Sequence, residues 1–406
     1  MSQNIKPVTT IKSAFPIFEA NPRLSYLDNA ATTQRPRAVI EAVTRFDSFE
    51  NANIHRGLYD LSSTATKRYE QIRTKVAHFL GTENSNTVAF TKGTTESINI
   101  VAQSYLSKKI MPGDNVITTI MEHHANFIPW QVLTQTHHAE LRIVPIDPHG
   151  NLDMNKLRAL IDSKTKLVAI NHISNTLGTV NPIEDIIAMA HKKNIPVLID
   201  AAQSISHCAL SLDQMEYDFL AFSGHKMFAP FGVGILQVAE KHLGEVLPYN
   251  VGGGMIREVT NERTTFRDFP FNLEAGTANI SGVIGLGAAI DYIGSLDKTD
   301  VSNHIRDLTD YCVATLNTVP EINVVGSPSG RSGIVSFTVT DIHPHDVASF
   351  LNQDQIAVRA GTHCTQPLLA SLGLGATIRA SFSIYNTRDD IDQLKASLIA
   401  LIKFWS

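Results

Sequence analysis

The runs IPVLID (residues 195–200) and FLAFSGHK (residues 219–226) decide how this chain folds. Each begins as a short apolar stretch rich in β-branched or aromatic residues, the pattern of a buried parallel strand, and each stops on polar residues where the chain must turn. Asp200 and the tetrad Ser223-Gly224-His225-Lys226 therefore fall at the carboxyl ends of two strands. In open α/β sheets that edge is where ligands bind, so the acid and the tetrad can converge on one small molecule. A lysine placed there, partly desolvated and close to other cations, can lose its proton and attack a carbonyl as an amine. Taken singly, Asp200 reads as a strand-end cap and Lys226 as a surface lysine. The combination, with Ala201-Ala202-Gln203 behind the acid, points to a ligand site.

The Asp…Ser-x-His-Lys arrangement resembles the signature of fold-type-I pyridoxal-phosphate (PLP) enzymes. The resemblance implies an α/β protein: a fold-type-I PLP-dependent transferase with a large domain on a mostly parallel central sheet and a small C-terminal α+β domain. It also implies that Lys226 holds the cofactor as a Schiff base and that Asp200 pairs with the protonated pyridine nitrogen. Ser223 and His225 would bind the phosphate, and Gln203 the phenolic oxygen. The chemistry agrees, because a carboxylate beside the ring nitrogen keeps it cationic and a cationic ring is an electron sink.

Size and composition set the limits. A chain of 406 residues is too long for one ordinary core, so two lobes are expected. With 43% hydrophobic and 18% charged residues it has the composition of a soluble globular protein. A net charge of -5, a pI near 6.3 and the lack of any Lys/Arg run give no footprint for nucleic acid. The start MSQNIKPVTTIKSAF has no secretory apolar stretch, and no apolar run reaches membrane-span length, so no membrane partner and a cytoplasmic location are expected. Three cysteines, Cys208, Cys312 and Cys364, make no disulfide framework. Cys208, among small and apolar residues, reads as packing.

Strands alternate with helical stretches up to Lys226, which predicts a mostly parallel sheet covered by helices. The segment LSYLDNAATTQRP is strand-like and runs into a turn, and it is similar to a Tyr-Leu-Asp-x-Ala-Ala segment of NifS-like enzymes. His55-Arg56-Gly57 reads as a solvated loop, but in the resembling family it points at the active site. Thr94 and Thr95 open a helix after a glycine turn, where free N–H groups and the dipole suit an anion such as a phosphate; a plain N-cap is the alternative. Met121-Glu122-His123-His124 follows the strand NVITTI. An imidazole at that position can stack on a pyridine ring and move protons, and the resemblance selects His123 for both. Adjacent histidines on an extended chain point apart, so no metal is expected there. Asn175 falls past the strand KLVAINHI, where its amide can bond a ring substituent or a substrate carboxylate. Val251-Gly252-Gly253-Gly254 and LEAGTANI lie near the dimer contact in the resembling enzymes, with Thr277 reaching the partner subunit's phosphate. Ala278 stands where relatives commonly carry proline.

From about Ser295 the pattern changes to an alternation of amphipathic helices with the strands GIVSFTV, IAVRAG and TIRASFSIY, closed by the helix RDDIDQLKASLIALIKFW. Residues 23–294 are thus expected to form the PLP-binding α/β domain. Residues 295–406, joined by 1–22, are expected to form the small α+β domain.

Within this second lobe, Arg359-Ala360-Gly361-Thr362-His363-Cys364 is a turn holding a thiol beside two basic residues. Cations near a thiol favour its nucleophilic form. Together with Ser-Gly-His-Lys, this loop is similar to that of the group II cysteine desulfurases, of the SufS and CsdA types, and the likeness extends along essentially the whole chain. It implies conversion of L-cysteine to L-alanine with the sulfur carried as a Cys364 persulfide. Lys226, Cys364 and His123 would be the catalytic residues, with Arg379 on the substrate carboxylate and Arg359 on the carboxylate or the persulfide. His55 and Asn175 would complete the substrate contacts. A homodimer and a SufE/CsdE-like sulfur acceptor serving iron–sulfur cluster assembly or another pathway follow from the same likeness. The alternative is a selenocysteine lyase releasing selenium and L-alanine from L-selenocysteine. A kynureninase-like PLP enzyme and a cofactor-free scaffold are more distant rivals, against which Cys364 and the PLP residues respectively argue.

Overall fold

The computed structural model describes residues 11–206 and 215–405, so Cys208 lies outside the described residues. After a two-residue strand β1 (Ser25–Tyr26), seven strands build the main sheet. These are β2 (Val88–Thr91), β3 (Asn115–Thr119), β4 (Glu140–Val144), β5 (Thr165–Asn171), β6 (Val197–Asp200), β7 (Phe219–Ser223) and β8 (Gly234–Val238). Their order across the sheet is β2-β8-β7-β6-β5-β3-β4. Strands β3 to β7 pair in parallel, while β8 runs antiparallel between β7 and β2. Every residue of β6 and β7 is buried. That is why these runs read as unbroken apolar stretches and not as alternating ones.

Two glycines shape the edge of this sheet. A Cβ on Gly234 would sit 2.4 Å from the Gly93 Cα, so only a bare backbone lets the turn before helix Thr94–Ile100 lie against β8. The close approach sets that helix's first turn beside Ser223, whose Oγ accepts from the Thr94 N–H at 2.9 Å.

The hairpin of β9 (Ile256–Val259) and β10 (Thr264–Phe266) follows. The remaining strands are β11 (Ile322–Val324), β12 (Ile334–Val339), β13 (Ile356–Ala357), β14 (Arg359–Gly361) and β15 (Thr377–Ser381). Four of them form an antiparallel sheet ordered β11-β12-β15-β14. Helices Lys298–Leu316, Pro344–Gln353 and Arg388–Trp405 cover it, and Leu308, Val347, Leu351, Leu394 and Leu398 fill a core of its own. Leu27 joins that core from the N-terminal side. IAVRAG, expected as one strand, is two: β13 pairs in parallel with β1, while β14 pairs with β15. The strand in TIRASFSIY stops at Ser381, because the next residues turn back with the Ser383 N–H donating to Asn386 Oδ1. Among the described residues no single helix is long and apolar enough to cross a membrane.

Candidate active site

A cavity of about 300 Å³ opens at the carboxyl edge of β5, β6 and β7. The sheet supplies Asp200, Ser223, His225 and Lys226, and the turns beside it supply Thr94, Thr95, His123, Asn175 and Gln203. The small sheet and its loop bring Arg359, His363, Cys364 and Arg379 to the same cavity. Asp200 is buried, its Oδ1 accepting the Ala202 N–H at 2.9 Å. Burial raises its pKa, and the Lys226 cation works against that rise. In turn, enclosure by protein pushes Lys226 down to about 8, with Asp200 opposing and Arg379 reinforcing the fall. A lysine so tuned is a usable amine near neutral pH.

Three imidazoles around the cavity are neutral. Burial, followed by Lys226, lowers His123 to about 3 and His225 to about 4. Burial, followed by Arg379, lowers His363 to about 3. The Ala125 N–H donates to His123 Nδ1 at 3.0 Å, which leaves the ring proton on Nε2. His123 is therefore a hydrogen-bond donor at Nε2.

The two arginines are direct cross-strand partners, Arg359 on β14 opposite Arg379 on β15. Like charges in that register repel. Asp28, just past β1, relieves the repulsion: its carboxylate accepts from Arg359 Nε at 3.1 Å and Nη2 at 2.9 Å, and from Arg379 Nη2 at 3.3 Å. Arg379 is 3% exposed and also donates to the Asn175 carbonyl at 2.8 Å, but its Nε has no partner. Burial lowers its pKa to about 10, still far above neutral. Asp28 is a site residue that the sequence reading passed over. The signal was present: a polar residue ending a short apolar run, as Asp200 does.

Cys364 is exposed at the cavity's mouth, on a loop with unusual backbone. His363 and Cys364 both lie in the left-handed region, at φ 52° and 57°, a conformation costing roughly 1 kcal/mol or more per non-glycine residue. The surroundings impose it. The His124 N–H donates to the Cys364 carbonyl at 2.8 Å, and Asn175 Nδ2 to the His363 carbonyl at 2.7 Å. Thr365 Oγ1 meets Thr176 Oγ1 at 2.7 Å, and His363 Nε2 meets Thr377 Oγ1 at 2.8 Å.

Two expected site residues sit elsewhere in this subunit. His55 and Thr277, both exposed, line a separate cavity of about 470 Å³ with Arg56, Gly253, Gly254 and Ala278.

The class-V aminotransferase model matches residues 25–394. The chain belongs to the class-V aminotransferase family. Within that family it is 44% identical to a cysteine desulfurase of Cronobacter sakazakii over 395 residues, 96% of this chain and 97% of the relative. Among solved structures it is similar to the cysteine desulfurase CsdA (S-sulfonic acid) from Escherichia coli. The TM-score is 0.92 and the identity 35%, with 99% of this chain and 100% of the other covered. The apo structure of a cysteine desulfurase from Thermococcus onnurineus is as near, with a TM-score of 0.93, 35% identity and 99% of both chains covered. The fold is that of fold-type-I PLP transferases, and family members of this kind are PLP enzymes.

The cavity fits that cofactor. It offers a buried carboxylate at Asp200 for a cationic ring nitrogen, an amine at Lys226 for an aldehyde, and hydroxyls at Thr94 and Ser223, 2.8 Å apart, for a phosphate. His225 Nδ1 and Asn175 Oδ1 are buried without a partner, as expected of groups arranged for a ligand.

Proposed function

We propose that this chain is a PLP-dependent cysteine desulfurase, converting L-cysteine to L-alanine and taking the sulfur onto Cys364. The observation that carries the reading is that the exposed Cys364 thiol lines the same cavity as the lysine tuned to about 8. An amine-binding site with a free thiol at its mouth suits removal of sulfur from an amino acid. Lys226, Asp200, Gln203, Ser223, His225, Thr94 and Thr95 would hold the cofactor. When bound, PLP supplies the electron sink that lets bonds at the substrate's α- and β-carbons break.

The chain's own residues then divide the work. Arg379, with its Nε unpaired, receives the substrate carboxylate in a charge-assisted pair, and Asn175 borders the same place. Arg359, whose fork is already engaged by Asp28, keeps the mouth of the site positively charged. Lys226 Nζ holds or gives up the α-proton, for which a value near 8 suits it. Cys364 Sγ attacks the substrate sulfur: an S–S bond forms as the Cβ–S bond breaks, and the carbon takes up a proton to leave alanine. His123 donates a hydrogen bond from Nε2 during these transfers.

The second cavity supports a homodimer. His55, Arg56 and Thr277 are exposed beside the glycine loop at 252–254, where a second copy could use them at its own site. Exposure of Cys364 supports onward transfer of the sulfur to a SufE/CsdE-like acceptor; iron–sulfur cluster assembly in the cytoplasm is the destination proposed for it. The two cores support a cofactor domain of 23–294 and a small domain of 295–406. The proposed attachment of 1–22 to the latter lacks that support, because Phe15 and Phe18 pack in the larger core.

The test is to mix holoprotein with L-cysteine and a thiol reductant, then quantify alanine and sulfide for wild type and Cys364→Ser. Equimolar products from the wild type alone are expected. Undiminished sulfide release by Cys364→Ser would remove the persulfide step, and no product from either protein would remove the assigned substrate.

A further inference from the structure

Beside His123 lies a carboxylate that the reaction above does not use. Glu122 is 0% exposed. Three elements meet on it: the Thr119 hydroxyl from β3 donates to Oε1 at 2.7 Å, the Asn171 N–H from β5 donates to Oε1 at 3.0 Å, and Asn126 Nδ2 donates to Oε2 at 2.6 Å. The amide of Asn126 cannot be turned the other way, because its Oδ1 accepts the Trp130 indole N–H at 2.9 Å and an indole only donates. All three partners are thus donors, a pattern that an ionised carboxylate satisfies and an amide does not. Burial pushes the Glu122 carboxyl up, and these same hydrogen bonds, all from donors, oppose that rise and favour the ionised form.

The network reaches the working imidazole through the turn it anchors. The Asn126 N–H donates to the His123 carbonyl at 2.8 Å, and the Ala125 N–H of the same turn holds His123 Nδ1. Asn171 closes the other side, its Nδ2 donating to the Met121 carbonyl at 3.0 Å. His123 is therefore flanked on both sides by backbone that Glu122 ties to β3 and β5.

We propose that Glu122 is a positioning residue: its carboxylate keys the 121–126 turn to the ends of β3 and β5, and so fixes the orientation and tautomer of His123. This rests on the reading of His123 as a working residue of the desulfurase site. Glu122 itself touches neither substrate nor cofactor.

Donor and acceptor arithmetic supplies the test. Glu122→Gln turns one acceptor into an NH₂ that faces the NH₂ of Asn126. Misplacing a group by a fraction of an ångström to 1 Å is expected to lower kcat for alanine formation by about tenfold or more, with KM for L-cysteine within about twofold. Adding Asn126→Asp restores complementarity, since the new carboxylate accepts from both the new amide and Trp130, so the double variant should recover most of the lost kcat. In a His123→Ala background, Glu122→Gln should change kcat by less than about twofold, because the residue acts through that ring. Should Glu122→Gln fail to fold, Thr119→Val removes one donor and enters the same cycle with His123→Ala. Unchanged kcat in the single variants, no recovery in the double, or an equal loss with and without His123 would each overturn the proposal. Whether the wild type makes alanine from L-cysteine at all is read separately, and bears on the proposed function alone.

Discussion

Lys226 carries the most exacting prediction, because its chemistry depends on being an amine at neutral pH. The fall from 10.5 to about 8 corresponds to ~3.4 kcal/mol disfavouring the ammonium. At pH 7.5 roughly one molecule in four would hold the free amine, against about one in a thousand for an ordinary lysine. Uptake of PLP by the apo-protein should then rise from pH 6 and level off above a midpoint near 8, since only the unprotonated amine reacts. The assay is stopped-flow absorbance after stripping the cofactor. It is referenced to the same reaction with a short lysine peptide, so that the cofactor's own titrations cancel. Arg379→Gln removes a cation that lowers Lys226, so the midpoint should move up, by a few tenths to about one pH unit. A midpoint near the ordinary lysine value, or one that Arg379→Gln leaves in place, would refute this electrostatic account of Lys226.

Two further outcomes follow from the buried arginines. Arg379→Lys keeps a charge but loses the fork whose Nε is unpaired, and one charge-assisted bond of ~1.5–3 kcal/mol should raise KM for L-cysteine about ten- to hundredfold with little change in kcat. Steady-state kinetics decides it, and an unchanged KM would move the carboxylate to Arg359. Arg73, 1% exposed, pairs with Glu274 at 2.6 and 2.9 Å and lies against Phe90 and Phe271. Glu274→Gln strands its charge, and because Glu70 still holds Nε, a loss of ~3 kcal/mol is expected in denaturant unfolding. An unshifted midpoint would show the pair to be neutral in stability.

The sequence carried the main sheet well because parallel strands buried on both faces leave unmistakable apolar runs that end on polar residues. Asp200, Lys226, His123 and Asn175 share that position, so one rule finds all four. Pairing across long separations left no such trace. Nothing local in FGVGILQV says that β8 inserts antiparallel between β7 and β2. Likewise the split of IAVRAG depends on β1, more than 300 residues earlier, capturing Ile356 and Ala357. The apolar run that ends on Asp28 marks a strand end, but what the acid does there lies in two arginines that are adjacent only in the folded small sheet.

That same separation explains how the thiol is controlled. Lys226 is fixed by the main sheet, whereas Cys364 belongs to a loop of the small sheet and meets the cavity only through what holds the loop. Besides the bond from His363 to Thr377 of its own sheet, three holding bonds cross from one layer to the other: His124 to the Cys364 carbonyl, Asn175 to the His363 carbonyl, Thr176 to Thr365. Ser336 of β12 adds a fourth, donating to the Thr176 carbonyl at 2.6 Å. Three of these come from the segment 174–176 and its neighbours, and Asn175 also accepts from Arg379. Asn175 therefore bonds both Arg379, the arginine proposed for the substrate carboxylate, and the loop that carries the thiol. These bonds hold His363 and Cys364 in the left-handed region, with their carbonyls turned to Asn175 and His124 and the Cys364 side chain exposed at the mouth.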